Sequence, residues 1–320
     1  MRKKPEIKKV AVIGSLNVDH ILKVDELPSK GQTLISGSYD IIEGGKGANQ
    51  AVAISKMGLA VGMIGKVGED ESGKILIKSL KNSKVGIGGI IVSKSVKTGA
   101  AFITVDKDGN NTIIVAPGAN CELSIEDIIK KEKQILDSDI VVLQLEIPVG
   151  LVSYVINYAK EKDKLVVLNF APAMDIHKEV LAKVDYLIMN EVEFQFLTGR
   201  EFRFDSLAES VKRLREFFNN YLVITLGEKG SVCADRDAEL LKVPSFRVKA
   251  VDSTGAGDAF VGGFILGIIQ NRSMKECLQL GNAAGAVSVT KLGAQTSLPD
   301  RNEIESFLNK SRFSEDIRRE

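Results

Sequence analysis

The chain has 320 residues, 44% of them hydrophobic and 27% charged, with a formal net charge of +1. That length supports one large core with an appendage, and the scattered Lys and Arg residues form no basic stripe of the kind nucleic acid demands. The longest apolar stretch, residues 259–269, is about half the length of a membrane helix, and Met1-Arg2-Lys3-Lys4 runs into further charge rather than an apolar signal region, so a cytoplasmic protein with neither nucleic-acid nor membrane partners is expected.

In chain order, Val10-Ala11-Val12-Ile13-Gly14 reads as a buried strand, with residues 61–67 as its partner. Residues 21–24, 33–42 and 100–115 are strand-like but break the later rhythm, and Asp106-Lys107-Asp108-Gly109-Asn110-Asn111 is a hairpin-turn signal. Together these segments predict a small antiparallel β lid over a site, built from about residues 20–43 and 97–116. Leu34, Ile35, Ile41, Phe102 and Ile103 give it more apolar side chains than one covered face needs, so a homodimer through the lid strands is expected. From residue 139 onward, β-rich runs (139–145, 165–169, 186–189, 222–226) alternate with helical stretches (151–161, 191–197, 207–218), the signature of βαβ units and a mainly parallel sheet. One domain over residues 1–320 accounts for the pattern, with only the tail from Ser311 to Glu320 loosely held.

The segment carrying most chemistry is Val251-Asp252-Ser253-Thr254-Gly255-Ala256-Gly257-Asp258-Ala259-Phe260, a glycine-rich turn with an acid on it. Phe260, Phe264, Ile265, Ile268 and Ile269 recur at helical spacing, so a buried helix starts near Ala256. The unpaired N–H groups of Gly255, Ala256 and Gly257 and the positive end of the helix dipole form an anion site. Asp258 has the wrong charge for a phosphate cradle; it is either a base beside the cradle or a first-turn acid complementing the dipole.

Other motifs weigh differently. Gly68-Glu69-Asp70-Glu71-Ser72-Gly73-Lys74-Ile75 imitates a P-loop but lacks the final hydroxyl and fills the loop with acids, which suit the first turn of a helix instead. A dinucleotide fingerprint fails for want of a third glycine after Gly255-Ala256-Gly257. Gly44-Gly45-Lys46-Gly47-Ala48-Asn49-Gln50-Ala51 opens a helix on which Lys46 and Asn49 share a polar face fit for ligand hydroxyls. Asn17 and Asp19 follow the first strand on one side of the chain, either as ligand groups or as turn residues. Asn190-Glu191-Val192-Glu193 and Glu146 also stand at strand ends, and a helix cap with first-turn acids suffices for the former. Cys121, Cys233 and Cys277 are too widely spaced for a disulfide framework, and His20 and His177 leave almost no material for a histidine metal site or a Ser-His-Asp triad.

Taken together the motifs resemble the ribokinase-like sugar kinases, the PfkB family, from about Lys9 to Phe307. The two glycine motifs carry the resemblance, with Gln144-Leu145-Glu146, Asn169-Phe170-Ala171-Pro172-Ala173, Asn190-Glu191-Val192-Glu193, Thr225-Leu226-Gly227-Glu228-Lys229-Gly230 and Gly293-Ala294-Gln295-Thr296-Ser297 in the expected order. It implies an α/β, three-layer α/β/α fold with a mainly parallel central sheet. It also implies ATP-dependent phosphorylation of D-ribose at the 5-hydroxyl, or of another sugar, sugar acid or nucleoside. Asp258 is then the base, and the amides of Gly255, Ala256, Gly257 and Asp258 are the anion hole. Asn17, Asp19, Gly45, Lys46, Asn49 and Glu146 match sugar positions; Thr225, Gly227, Gly230, Gly257 and Asn282 match the ATP site; Asn190 and Glu193 match the phosphate and Mg2+ motif. Asp252, Thr254, Ser288, Lys291, Gly293 and Ser297 fall where the family holds a monovalent cation, K+, largely by backbone carbonyls. Phe170 stands where proline is usual, and Lys291 where arginine is frequent.

Overall fold

A computed structural model describes residues 8–316. In order, the elements are β1 (Lys9–Ile13), β2 (Asn17–Lys23), β3 (Ser38–Gly44), α1 (Lys46–Lys56), β4 (Ala60–Gly68), α2 (Glu71–Asn82), β5 (Gly86–Ser93), β6 (Gly99–Val105), β7 (Asn111–Ala116), α3 (Ile125–Leu136), β8 (Ile140–Leu143), α4 (Val149–Glu161), β9 (Leu165–Asn169), α5 (Lys178–Leu181), β10 (Tyr186–Asn190), α6 (Glu191–Thr198), α7 (Leu207–Leu214), β11 (Tyr221–Thr225), β12 (Ser231–Ala234), β13 (Leu240–Val243), α8 (Ala256–Ile269), α9 (Met274–Ser288) and α10 (Arg301–Asp316).

Nine strands form the main sheet in the order β13-β12-β11-β10-β9-β8-β1-β4-β5. Every pair from β11 to β5 is parallel, and only the β11–β12–β13 edge is antiparallel. The apolar runs of β1 and β8 are buried on both faces, as a parallel sheet covered by helices requires. Alternation along β1 divides the core: Val10 and Val12 pack with Ile54 of α1, Phe264 of α8 and Leu278 of α9. Ala11 and Ile13 pack on the opposite face with Ile128 of α3, Val155 of α4 and Phe194 of α6. The result is the three-layer α/β/α arrangement.

The lid is a separate four-stranded sheet, β3-β2-β6-β7. Its outer pairs are antiparallel and its central pair, β2–β6, is parallel, so the sheet is mixed at its centre. The expected strand over 33–42 begins only at Ser38. β2 ends at Lys23, whose carbonyl is taken by Gly37 N–H and Ser36 Oγ, so residues before 38 have no neighbouring strand to pair with. The hairpin turn falls where expected, with Asp106 accepting from the N–H groups of Asp108 and Asn110. Asp70 caps α2 by accepting from Gly73 N–H at 2.8 Å, which disposes of the P-loop imitation. The expected helix over 207–218 is shorter, ending at Leu214. α10 continues to Asp316, so residues 311–316 of the expected loose tail belong to a helix, while 317–320 lie outside the described residues.

α8 is wedged between α1 and α9. A methyl group at Gly263 would come within 2.4 Å of the Leu280 carbonyl oxygen, and helix backbones cannot yield that far without separating. Gly263→Ala is therefore expected to cost about 1–3 kcal/mol, the scale of core overpacking, seen as a lowered unfolding midpoint; an unchanged midpoint would show that α8 and α9 do not need this approach.

Candidate active site

Two helix N-termini meet at the carboxyl ends of the parallel strands, where open α/β sheets bind ligands. α1 starts from Gly45, whose φ of 87° and closeness to the Asn17 backbone leave no room for a side chain. Its first turn presents Lys46, Asn49 and Gln50. α8 starts from Gly255, also left-handed at φ 76°, and carries Asp258 in its first turn. Asp258 is only 6% exposed. Its Oδ2 accepts from Asn49 Nδ2 at 3.0 Å and its Oδ1 from Gln50 Nε2 at 2.9 Å.

Around this pair the structure gathers further charge. Glu146, just after β8, accepts from Ser15 Oγ at 2.5 Å and from the Lys46 backbone N–H at 3.0 Å, fixing the start of α1 to the β1–β2 turn. Asn17 Oδ1 accepts from Asn120 Nδ2 at 2.8 Å, and Asn120 also brackets Leu16 through its N–H and carbonyl. Asp19 is buried two residues along β2. Asn49 Oδ1 is buried with no hydrogen-bond partner among the described residues, as a side chain awaiting a hydroxyl donor would be.

Burial pushes the Asp19 carboxyl up to about 6, helped by the negative charges of Glu146 and Asp258. Burial likewise raises Asp258, against the opposing pull of Lys46 and the Gln50 and Asn49 amides. For Lys46 burial works downward, but Asp258, Glu146 and Glu193 outweigh it and hold the ammonium above its ordinary value. The half-buried Lys46 thus offsets the charge of Asp258, Glu146 and Glu193, a place suited to binding polyols and moving a proton.

Next to Asp258 opens a cleft of about 780 Å³ lined by Thr225, Gly227, Gly230, Gly257, Phe260 and Asn282, among others. It collects the expected nucleotide positions except Asn190 and Glu193, which do not line it. Those two form a capping box on α6, Asn190 Oδ1 accepting from Glu193 N–H and Glu193 Oε2 from Asn190 N–H. Burial raises the Glu193 carboxyl, while the Asn190 N–H and Lys46 oppose the shift. Asn282 spends its amide on the carbonyls of Val243 and Pro244, shaping the cleft wall.

One part of the expected anion hole is corrected. Ala256 N–H is not free: it donates to Ser253 O at 3.2 Å, because the turn before the helix is tight.

The cation-site residues come together as two tied segments. Val251 and Asp252 donate their N–H groups to Val289 O, and Asp252 Oδ2 accepts from Gly293 N–H at 2.8 Å. Asp252 Oδ1 accepts from Thr254 N–H and Oγ1. Ser288 Oγ is buried without a partner among the described residues, Ser297 Oγ donates to Ala294 O, and Lys291 turns away to an ion pair with Glu303. These bonds tie the two segments together, and the Lys291 side chain is engaged with Glu303 rather than with them.

Sequence reasoning gave no role to Ser15, Gln50, Asn120 or Gln144. Gln50 and Gln144 lay inside quoted motifs, and that placement was the available signal; nothing local marks Asn120.

The raised Asp19 carboxyl has a consequence for stability. Because its folded value lies above the ordinary 3.8, its contribution is fully present below the unfolded value and is lost as pH rises through about 6, leaving the ionised side chain destabilising above that by on the order of 3 kcal/mol. Asp19→Asn is expected to gain about that amount at pH 8 and nothing at pH 4 in urea unfolding; an equal change at both pH values would contradict the assignment.

The sequence profile for pfkB family carbohydrate kinases matches residues 7–301. The chain is 39% identical over 304 residues to a ribokinase of Haemophilus influenzae, covering 94% of this chain and 98% of that one. It is 35% identical over 302 residues to a deoxyribokinase of Salmonella typhi, covering 94% and 98%. The structure of an Arabidopsis thaliana ribokinase complexed with ribose and ATP superposes with a TM-score of 0.86 at 29% identity, covering 94% of this chain and 98% of that one.

Proposed function

We propose a function from one premise: the chain belongs to the pfkB family of carbohydrate kinases. It transfers the γ-phosphoryl group of ATP to the 5-hydroxyl of D-ribose, yielding ribose 5-phosphate and ADP. The observation that carries this reading is the buried Asp258 carboxylate, held by Asn49 and Gln50 between the Asp19–Glu146–Lys46 cluster and the cleft that Gly257 lines.

In the proposed reaction the sugar rests on Asn17, Asp19, Gly45, Lys46, Asn49 and Glu146. Asp258 takes the hydroxyl proton as the oxygen bonds to the γ-phosphorus and the bond from phosphorus to the ADP oxygen breaks. A raised carboxyl suits a base, and a loose transition state lets the proton leave late. The backbone amides of Gly255, Gly257 and Asp258 stabilise the transferred charge, and that of Ala256 joins them only by releasing Ser253 O. ATP occupies the cleft of Thr225, Gly227, Gly230 and Asn282. Glu193, with the Asn190 cap, would orient the Mg2+ that accompanies ATP, which would supply charge neutralisation at the phosphates. K+ would be held by the 252–254 and 288–297 segments, steadying the turn before α8; equal turnover in sodium, potassium and large organic cations would remove that role. The lid strands exclude water, a competing acceptor.

A second reading is favoured by the similarity to a deoxyribokinase: another sugar, 2-deoxyribose foremost. ADP release with ATP and Mg2+ across pentoses, 2-deoxyribose, hexoses, sugar acids and nucleosides separates the two, with ribose expected to show the highest kcat/KM. No ADP release with any acceptor would overturn the kinase reading. Asp258→Asn keeps one acceptor oxygen and loses the base, so turnover should fall roughly 10²–10⁴-fold while ATP and ribose still bind. Wild-type turnover in that variant would return Asp258 to the role of a first-turn acid.

We further propose a homodimer through the lid. Ile41, His20, Phe102 and Ile114 form one row across the lid sheet, the three apolar members being 49%, 45% and 71% exposed, and the β7 edge is uncovered along its length. Sedimentation at micromolar concentration should give a dimer; a monomer rules it out.

A further inference from the structure

Gln50 and Gln144 are buried to 0% exposure and lie outside every contact assigned above to sugar or nucleotide. The Gln50 amide is paired at both ends, whereas Gln144 is paired through its Nε2, its buried Oε1 having no partner among the described residues. Gln144 Nε2 donates to Gln50 Oε1 at 2.6 Å. With its acceptor thus occupied, Gln50 turns its Nε2 outward, donating one hydrogen to Asp258 Oδ1 at 2.9 Å and the other to Asn169 Oδ1 at 2.9 Å. Asn169 is oriented in turn by its own donation to the Ile188 carbonyl. The reversed orientation of Gln50 would put Oε1 against two oxygens, so the direction of the chain is fixed.

We propose that Gln144 and Gln50 are positioning residues for the phosphoryl-transfer reaction: Gln144 sets the direction of the Gln50 amide, and Gln50 holds the Asp258 carboxylate ionised and oriented toward the acceptor hydroxyl. The inference rests on the kinase reading above. Its physical basis is that a carboxylate buried this deeply needs donors to remain charged. Among the described residues its side-chain donors are Asn49 and Gln50, both of α1. The charged groups that also face it are Lys46 of α1, which favours its ionised form, and Glu146 beyond β8, which opposes it; Asp19 of β2 feels its charge. Asn49 is committed to the proposed sugar site through its open Oδ1, which leaves Gln50 as the donor whose only duties are Asp258 and Asn169.

The test is the pH profile of kcat/KM for ribose. Gln50→Met keeps the length of the side chain and removes both donors. The acid limb should move to higher pH, with turnover at neutral pH down roughly 10-fold or more and recovering as pH rises, since one lost hydrogen bond to a charged group is worth about that factor. KM for ATP should stay unchanged. Gln144→Met should move the limb in the same direction by less, and the Gln50→Met/Gln144→Met double variant should behave as Gln50→Met alone, because Gln144 acts only through Gln50. Gln50→Glu, which sets a second carboxylate against Asp258, should move the limb furthest. An acid limb unmoved in Gln50→Met, or effects of the two single variants that add, would overturn the proposal even with wild-type ribose kinase activity intact. A lowered melting temperature with a pH-independent loss of activity would likewise overturn it, reducing Gln50 to a packing role. Absence of ribose phosphorylation in the wild type would instead strike the function itself.

Discussion

The arrangement depends on the contact between two helix N-termini that belong to opposite ends of the chain. Asp258 is stranded in a dry place, and its two oxygens are answered by the adjacent amides of Asn49 and Gln50. Without that pairing a buried carboxylate in the first turn of α8 would be a burden on folding. With it, α1 and α8 are locked in register, and the glycines along α8 let the helices approach closely enough for the short amide side chains to reach. Lys46 supplies the compensating charge, so the carboxylates around it are tolerated as a group rather than singly.

Much of the architecture was legible in the sequence, for a physical reason. Strands buried on both faces by crossover helices must be continuous apolar runs, and β1, β8, β9, β10 and β11 are that. What local pattern does not encode is which strands meet and in which direction. The lid was foreseen as antiparallel, yet β2 and β6 run parallel because they are joined through α1, β4, α2 and β5 rather than by a hairpin. The β12 and β13 strands, only four residues each and the outer one largely uncovered, carried no comparable signal.

The same division runs through the site. Asp258, Lys46 and Asn49 stood out because glycine turns opening helices mark places where a backbone must approach something. Gln50 and Gln144 did not, since their bonds cross 208 and 94 residues of chain. A buried amide is ordinary until its partners are known. The Asn190–Glu193 pair shows the opposite limit: a capping box fully explains those residues locally, and the proposed second duty toward phosphate would be added to, not substituted for, the cap.

The strand order carries a consequence for how the molecule is made. β1 leaves the ribosome first, yet it lies between β4 and β8, and β8 ends at Leu143. The N-terminal strand therefore pairs on one side early in synthesis and keeps its other edge open until almost half the chain has emerged. The carboxylate at position 258 is absent throughout that interval, so the first half carries the Asn49 and Gln50 amides without the group they hold. The contact between α1 and α8 around residue 258 spans 208 residues of chain, the kind of non-local pairing whose loop entropy must be met before its contacts form.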